Sequence, residues 1–132
     1  MRILRRYHPP MDKRSPVRPA IRPRVYLDAD VAVGPGKIDL LRHVAATRSI
    51  SAAARAMGMS YTRAWQLIDA MNHGFGDVVA TATGGRGGGG ATLTPAGEAL
   101  VAAYEALETR LNVAAKREID ALAALRPARR RR

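Results

Sequence analysis

The sequence predicts a mainly α-helical fold with one small β-hairpin, followed by a long C-terminal helix. Three observations predict it. Apolar residues recur at helical spacing in three segments between Gly36 and Asn72. A β-branched run, Asp77–Thr83, is followed by the glycine-rich loop Gly84–Gly90 and a short return run, Ala91–Leu93, which together read as a hairpin with a long tip. From Pro95 to Leu125 nothing breaks a helix, and roughly 31 residues at 1.5 Å rise would span about 46 Å.

Taken in order, Met1–Arg24 carries five prolines among eight basic residues and few large apolar ones. Such a segment cannot bury enough surface to offset its ordering entropy, so it is expected to be a disordered basic tail. Met11 offers an alternative start. Arg24–Val33 alternates Val25, Leu27, Ala29, Val31 and Val33 against Tyr26, Asp28, Asp30 and Ala32, the pattern of a single half-buried strand. Gly34-Pro35-Gly36 ends it and opens a helix in which Ile38, Leu41, Val44 and Ala45 repeat to about Arg48. Ser51–Met57 is a helix of small residues, which Gly58 is placed to close in a left-handed conformation. Ser60 is a natural N-cap for an amphipathic helix reaching Asn72, with Ala64, Leu67, Ile68 and Met71 on one face. Thr94 caps the last helix, with Pro95 at its first position and Glu98 favouring its dipole. Along that helix Leu100, Tyr104, Leu107, Leu111 and Ala114 step 4-3-4-3, a seam expected to pair with a second chain as a homodimer. After Leu111 the pattern can also run through Ala115 and Ile119 to Leu122, a stutter. The implied organisation is a tail over 1–24, a domain over 25–94, a dimerisation helix over 95–125 and a basic tail over 126–132.

Charge is unevenly distributed. The net +11 divides into +7 over Met1–Arg24, +5 over Arg126–Arg132 and −1 for the middle. Tails of this kind attract phosphate polymers without reading sequence. Cysteine is absent, which excludes disulfide scaffolds, zinc ribbons and thiol catalysis. No apolar run approaches a membrane span, and no apolar stretch follows the N-terminal arginines as a signal peptide requires, so a cytoplasmic protein is expected, associated with the nucleoid. No metal or cofactor is expected: His8, His43 and His73 are scattered, and Glu98, Glu105, Glu108 and Glu118 read as solvating charges on helix surfaces. Gly85, Gly87 and Gly90 fit G-x-G-x-x-G by accident, since Ala91-Thr92-Leu93 intervenes where a helix should begin. Gly34-Pro35-Gly36-Lys37 fails as a phosphate loop, with Val31 and Ile38 at positions that need glycine and a hydroxyl. No constellation supports an enzyme.

Helix, glycine turn, helix carries the information. Ala54 lies four residues before Gly58, and Ala64 and Leu67 lie six and nine after it. A helix-turn-helix needs a small residue at the first position for close crossing, glycine at the turn for positive φ, and apolar residues afterwards to seat the second helix. The hairpin that follows makes this the winged variant. Ser49-Ile50-Ser51-Ala52-Ala53-Ala54-Arg55-Ala56-Met57-Gly58-Met59-Ser60-Tyr61, then Ala64-Trp65 and Asp69-Ala70-Met71-Asn72, resembles the N-terminal domain of the molybdate-responsive transcriptional regulators (ModE). Gly84-Gly85 with Gly87–Gly90, and Leu93-Thr94-Pro95-Ala96-Gly97, extend the resemblance, and a weaker one reaches the LysR-type regulators. It covers roughly Val25 to Glu108 and implies DNA binding and dimerisation. Members of that family continue into a β-rich module that holds the oxyanion. No further strand is legible after Leu93, so the expectation is a stand-alone DNA-binding domain without a molybdate site.

Arg63 and Gln66 point away from the apolar face near the start of the second helix, where they can pair bidentately with guanine and adenine. Ser60, Tyr61 and Thr62 sit at the same end, with hydroxyls and backbone N–H groups suited to phosphate, although Tyr61 is equally placed to pack. Trp65 lies beside the apolar stripe and reads as a structural residue. Arg86, the lone charge in the glycine loop, would enter a minor groove or touch a phosphate from the wing tip. Two functions compete: a homodimeric regulator that binds double-stranded DNA at an inverted repeat, and an adaptor that uses the same fold to dimerise without touching DNA. The near-neutral middle keeps the second open.

Overall fold

The computed structural model describes residues 18–82 and 90–128. The elements run β1 (Val25–Tyr26), β2 (Ala32–Val33), α1 (Pro35–Thr47), α2 (Ile50–Ala56), α3 (Tyr61–Phe75), β3 (Val79–Ala82), β4 (Gly90–Leu93), α4 (Pro95–Ala114) and α5 (Lys116–Ala124). The mainly α fold with a β-hairpin wing stands as the sequence predicts.

The core is built around α1. Its apolar residues Ile38, Leu40, Leu41 and Val44 are completely buried, and Asp39, Arg42 and His43 between them are buried too. A helix covered on every side needs neighbours on every side, and α2, α3, α4 and β4 supply them. Ala53 and Ala54 of α2 meet Ala64 and Ile68 of α3 in this core, small residues that let the two helices cross closely. Met71, Val78, Ala91 and Val101 complete it, with Leu67 half-buried at its margin.

Three expectations are corrected. Arg24–Val33 is not one strand but a tight antiparallel hairpin, with Val25 opposite Val33 and Tyr26 opposite Ala32. Leu27 and Asp28 donate their N–H groups to the Val31 carbonyl, and the Asp28 carboxylate accepts from the Asp30 N–H. Asp28-Ala29-Asp30, read as strand by alternation, is therefore a turn, the role short acidic side chains commonly take. Residues 18–24, expected to belong to a disordered tail, are ordered against the domain. They lie along α4: the Ile21 N–H donates to Asn112 Oδ1 at 2.7 Å, Asn112 Nδ2 donates to the Ile21 carbonyl at 2.9 Å, and the Tyr104 hydroxyl donates to the Pro23 carbonyl at 2.6 Å. Residues 1–17 and 129–132 lie outside the described part.

The last helix is also not continuous. It breaks at Ala115 (φ −103°, ψ 20°), where the apolar pattern changes its step. Its seam is divided in use. Tyr104 is 3 % exposed and packs with Val33 and Ile38, and Leu100 packs beside them, so the first half serves its own domain. Farther on, Val113, Leu122 and Leu125 are exposed, and α5 buries nothing. Among the described residues no helix is long and apolar enough to cross a membrane.

Candidate nucleic-acid interface

Each piece of the helix-turn-helix is held by local hydrogen bonds that its sequence supplies. Ser49 caps α2, its hydroxyl accepting from the Ala52 N–H at 3.0 Å. At the other end the Met59 N–H returns to the Ala54 carbonyl at 3.0 Å, and Gly58 turns the chain with φ +68°. That is the left-handed conformation expected of it. Ser60 then caps α3, its hydroxyl accepting from the Arg63 N–H at 2.9 Å.

With Ala64, Ile68 and Met71 buried, helical periodicity leaves the opposite face of α3 outward. Tyr61, Thr62, Arg63 and Gln66 are all exposed on its first two turns. Arg63 Nη1 reaches Gln66 Oε1 at 3.4 Å, so the two longest polar side chains of this face lie together. Tyr61 is 54 % exposed and stands edge-on to Trp65, with 6.4 Å between ring centroids and 77° between planes. Trp65 is half-buried against the core, the structural place expected for it. Five of the six candidate residues, Ser60, Tyr61, Thr62, Arg63 and Gln66, thus form one patch. Arg86 falls in residues 83–89, outside the described part.

The wing stands on α1 and α4. Val79 pairs with Leu93 and Ala82 with Gly90. The Ala91 N–H donates to the carbonyl of Arg48 at 3.0 Å, and Arg48 adopts φ +61° where α1 ends. At the hairpin's base the Thr94 hydroxyl donates to the Asp77 carbonyl and accepts from the Gly97 N–H. A Cβ on Gly97 would run into the carbonyl of Val78, which is why glycine follows Thr94-Pro95-Ala96. Ser49, Ser51, Tyr61, Trp65, Thr81 and Gly90 line the cleft left between the two motifs.

Sequence reasoning missed a charge network on the α4 side. Arg42, with a side chain 3 % exposed, lies 3.3 Å from Asp39, 2.9 Å from Glu105 and 3.7 Å from Glu108. Arg22 bridges Asp39 at 2.7 Å and Glu108 at 3.4 Å. Burial works against the Arg22 charge, but hydrogen bonds to Asp39 and Glu108, and their charges, outweigh it and raise its pKa. Glu105 and Glu108, expected to be solvating charges, are therefore ion-pair partners of α1. The three-residue spacing of Asp39 and Arg42 signals a local pair, but no sequence signal places Glu105 and Glu108 against them. Three of the ten acids of the middle segment are thus paired with two arginines.

Residues 36–98 match the family of bacterial regulatory helix-turn-helix proteins of the lysR type. This stretch is a LysR-type helix-turn-helix domain. Among similar proteins, the molybdenum-pterin-binding protein MopB of Rhodobacter capsulatus is 52% identical over 77 residues, covering 58% of this chain and 28% of that protein. The DNA-binding transcriptional dual regulator ModE of Escherichia coli is 46% identical over 74 residues, 55% of this chain and 28% of its own length. The molybdenum transport protein ModE of Azotobacter vinelandii is 42% identical over 88 residues, 64% and 33% respectively. The LysR-type domain thus spans α1 to the first turn of α4, and each match takes in about a third or less of the relative.

Proposed function

We propose that this protein is a transcriptional regulator that binds double-stranded DNA as a homodimer, acting in the cytoplasm on the nucleoid rather than as an enzyme. The observation that carries this reading is the exposed start of α3: Tyr61, Thr62, Arg63 and Gln66 project from a helix whose other face is locked into the core of a LysR-type domain. A helix so presented fits a major groove, with Arg63 and Gln66 toward base edges and Ser60, Tyr61 and Thr62 toward phosphates. Arg86 and the glycine loop lie on the adjacent backbone or minor groove. The exposed Val113, Leu122 and Leu125 supply apolar surface for a second copy, and two-fold pairing puts two half-sites in inverted order about one helical turn apart. The molybdenum in the relatives' names is not carried over, because each likeness takes in about a third or less of the relative.

Selection of bound sequences from a random duplex pool tests the reading. The parent should enrich an inverted motif. Arg63→Ala should cost about 1–3 kcal/mol on the preferred site and relax one position per half-site. Arg86→Ala should weaken binding evenly across sequences. A parent that enriches no motif refutes the proposal in favour of an adaptor, and a motif unmoved by Arg63→Ala and Gln66→Ala places the reading face elsewhere on α3.

A further inference from the structure

Among the described residues Arg48 is the only non-glycine with a positive φ, +61° with ψ +28°, at the C-cap of α1. A left-handed residue that closes a helix is ordinarily glycine, because a Cβ crowds the backbone there. Nothing in the local bonding calls for arginine. The Arg48 N–H donates to the Val44 carbonyl at 2.8 Å, its carbonyl accepts from the Ala91 N–H at 3.0 Å, and glycine would keep both bonds. The side chain is exposed. Among the described residues its guanidinium has no hydrogen bond and no carboxylate partner, in contrast to Arg22 and Arg42. What it has is a place beside the wing, in a groove lined by Ala80, Thr81, Ala82, Gly90 and Thr92. Thr81, Ala82, Gly90 and Ala91 also line the cleft that holds Tyr61 and Trp65, as does Ser49, the residue after Arg48. The rungs Thr81–Ala91 and Ala82–Gly90 are therefore a wall common to the Arg48 groove and the cleft at the start of α3.

We propose that Arg48 is a further phosphate-binding residue, which holds the duplex backbone where it passes the wing. The inference rests on the DNA-binding reading above and adds to it a cation outside α3 and the glycine loop. Backbone strain kept for a side chain that holds nothing in its own chain points to a ligand outside it. A guanidinium without a counter-ion selects an anion, and a phosphate accepts its paired N–H groups. An acidic protein would be drawn by the same charge, but the wall shared with the cleft of Tyr61 favours the polyanion that α3 faces.

Arg48→Gly decides it, because stability and binding should move in opposite directions. Relief of the left-handed strain should let the full-length variant melt at or above the parent. In salt titrations, loss of the guanidinium should weaken binding by the same factor on the selected site and on a scrambled duplex. It should lower the log–log salt slope by about 0.9, for one phosphate no longer neutralised, and leave the selected motif unchanged. Arg48→Lys keeps the charge and should keep the slope. If Arg48→Gly melts early, Arg48→Asn carries the test, since asparagine also tolerates this conformation, with the same expected drop of about 0.9. Parental affinity and slope in these variants, while Arg63→Ala still weakens binding, would overturn the Arg48 site and leave the DNA-binding reading intact. A slope lowered as far by Arg48→Lys as by Arg48→Gly would overturn the site as well, since charge would then not be what binds. A parent that binds no duplex would overturn both readings.

Discussion

Arg42→Met tests whether the buried charge network fastens α4 to α1. The substitution keeps most of the side-chain length and removes the charge, leaving Asp39, Glu105 and Glu108 with Arg22 alone. Arg22 touches Asp39 and Glu108 but not Glu105, so one carboxylate, 16 % exposed, keeps no cation among the described residues. Removing one partner from a buried ion pair costs about 3–5 kcal/mol, and the partial exposure of these carboxylates puts the loss near the lower end, about 3 kcal/mol. For a chain of this size that corresponds to a fall of roughly 10 °C in melting temperature. Circular dichroism during heating, together with urea unfolding, reads the change. Adding Glu105→Gln should recover about a third or more of the loss, because it removes the orphaned charge itself. A single variant that melts with the parent, or a double variant less stable than the single, would refute the network as a fastening.

Three further outcomes follow from the geometry. Gly58→Val should destabilise by about 1–3 kcal/mol, because a β-branched residue is strained at φ +68°; an unchanged melt would deny that strain. Gly97→Ala should destabilise by about 2 kcal/mol or more, since its Cβ meets backbone at Val78 that cannot swing away; parental stability in urea would count against that close approach. The Tyr104 phenol, pushed up to about 12 by burial and then by the Glu108 charge, contributes stability that is fully present below about pH 10 and lost as pH rises through about 12. Tyrosinate absorbance should show a step near pH 12 that Tyr104→Phe abolishes; a titration unchanged by that substitution would contradict the assignment.

Local rules were legible wherever the chain's own neighbours decide the structure. Ser49, Ser60 and Thr94 all cap helices, and of these Ser60 and Thr94 are expected from the sequence, as is the turn at Gly58. The outward face of α3 follows from the spacing of Ala64, Ile68 and Met71. What could not be read were choices made by tertiary packing. The period-2 pattern of Arg24–Val33 has the same form in one strand and in a hairpin, and only the turn bonds to Val31 distinguish them. Asp39, Arg42, Glu105 and Glu108 look like solvated charges until α1 and α4 meet. The seam of α4 points correctly to an apolar face, but periodicity does not say whether that face belongs to the same chain or to another, and Tyr104 goes to its own domain. Ala115 breaks the helix with no breaker residue to announce it.

The backbone contact between Gly97 and Val78 makes the start of α4 a fulcrum. Thr94 is bonded to Asp77 and Val78 on one side of that point, and the first turn of α4 is pressed against the same carbonyl on the other. The arm from Gly97 to Ala114 is about 26 Å long. A sideways movement of about 3 Å at the far end, where Val113 is exposed, is a rotation of only about 0.1 radian at the fulcrum. Between that fulcrum and Val113 the helix is held by Arg42 and by the Ile21–Asn112 pair, so a load at the far end of α4 is borne by α1 and residues 18–24 before it reaches the hairpin's base.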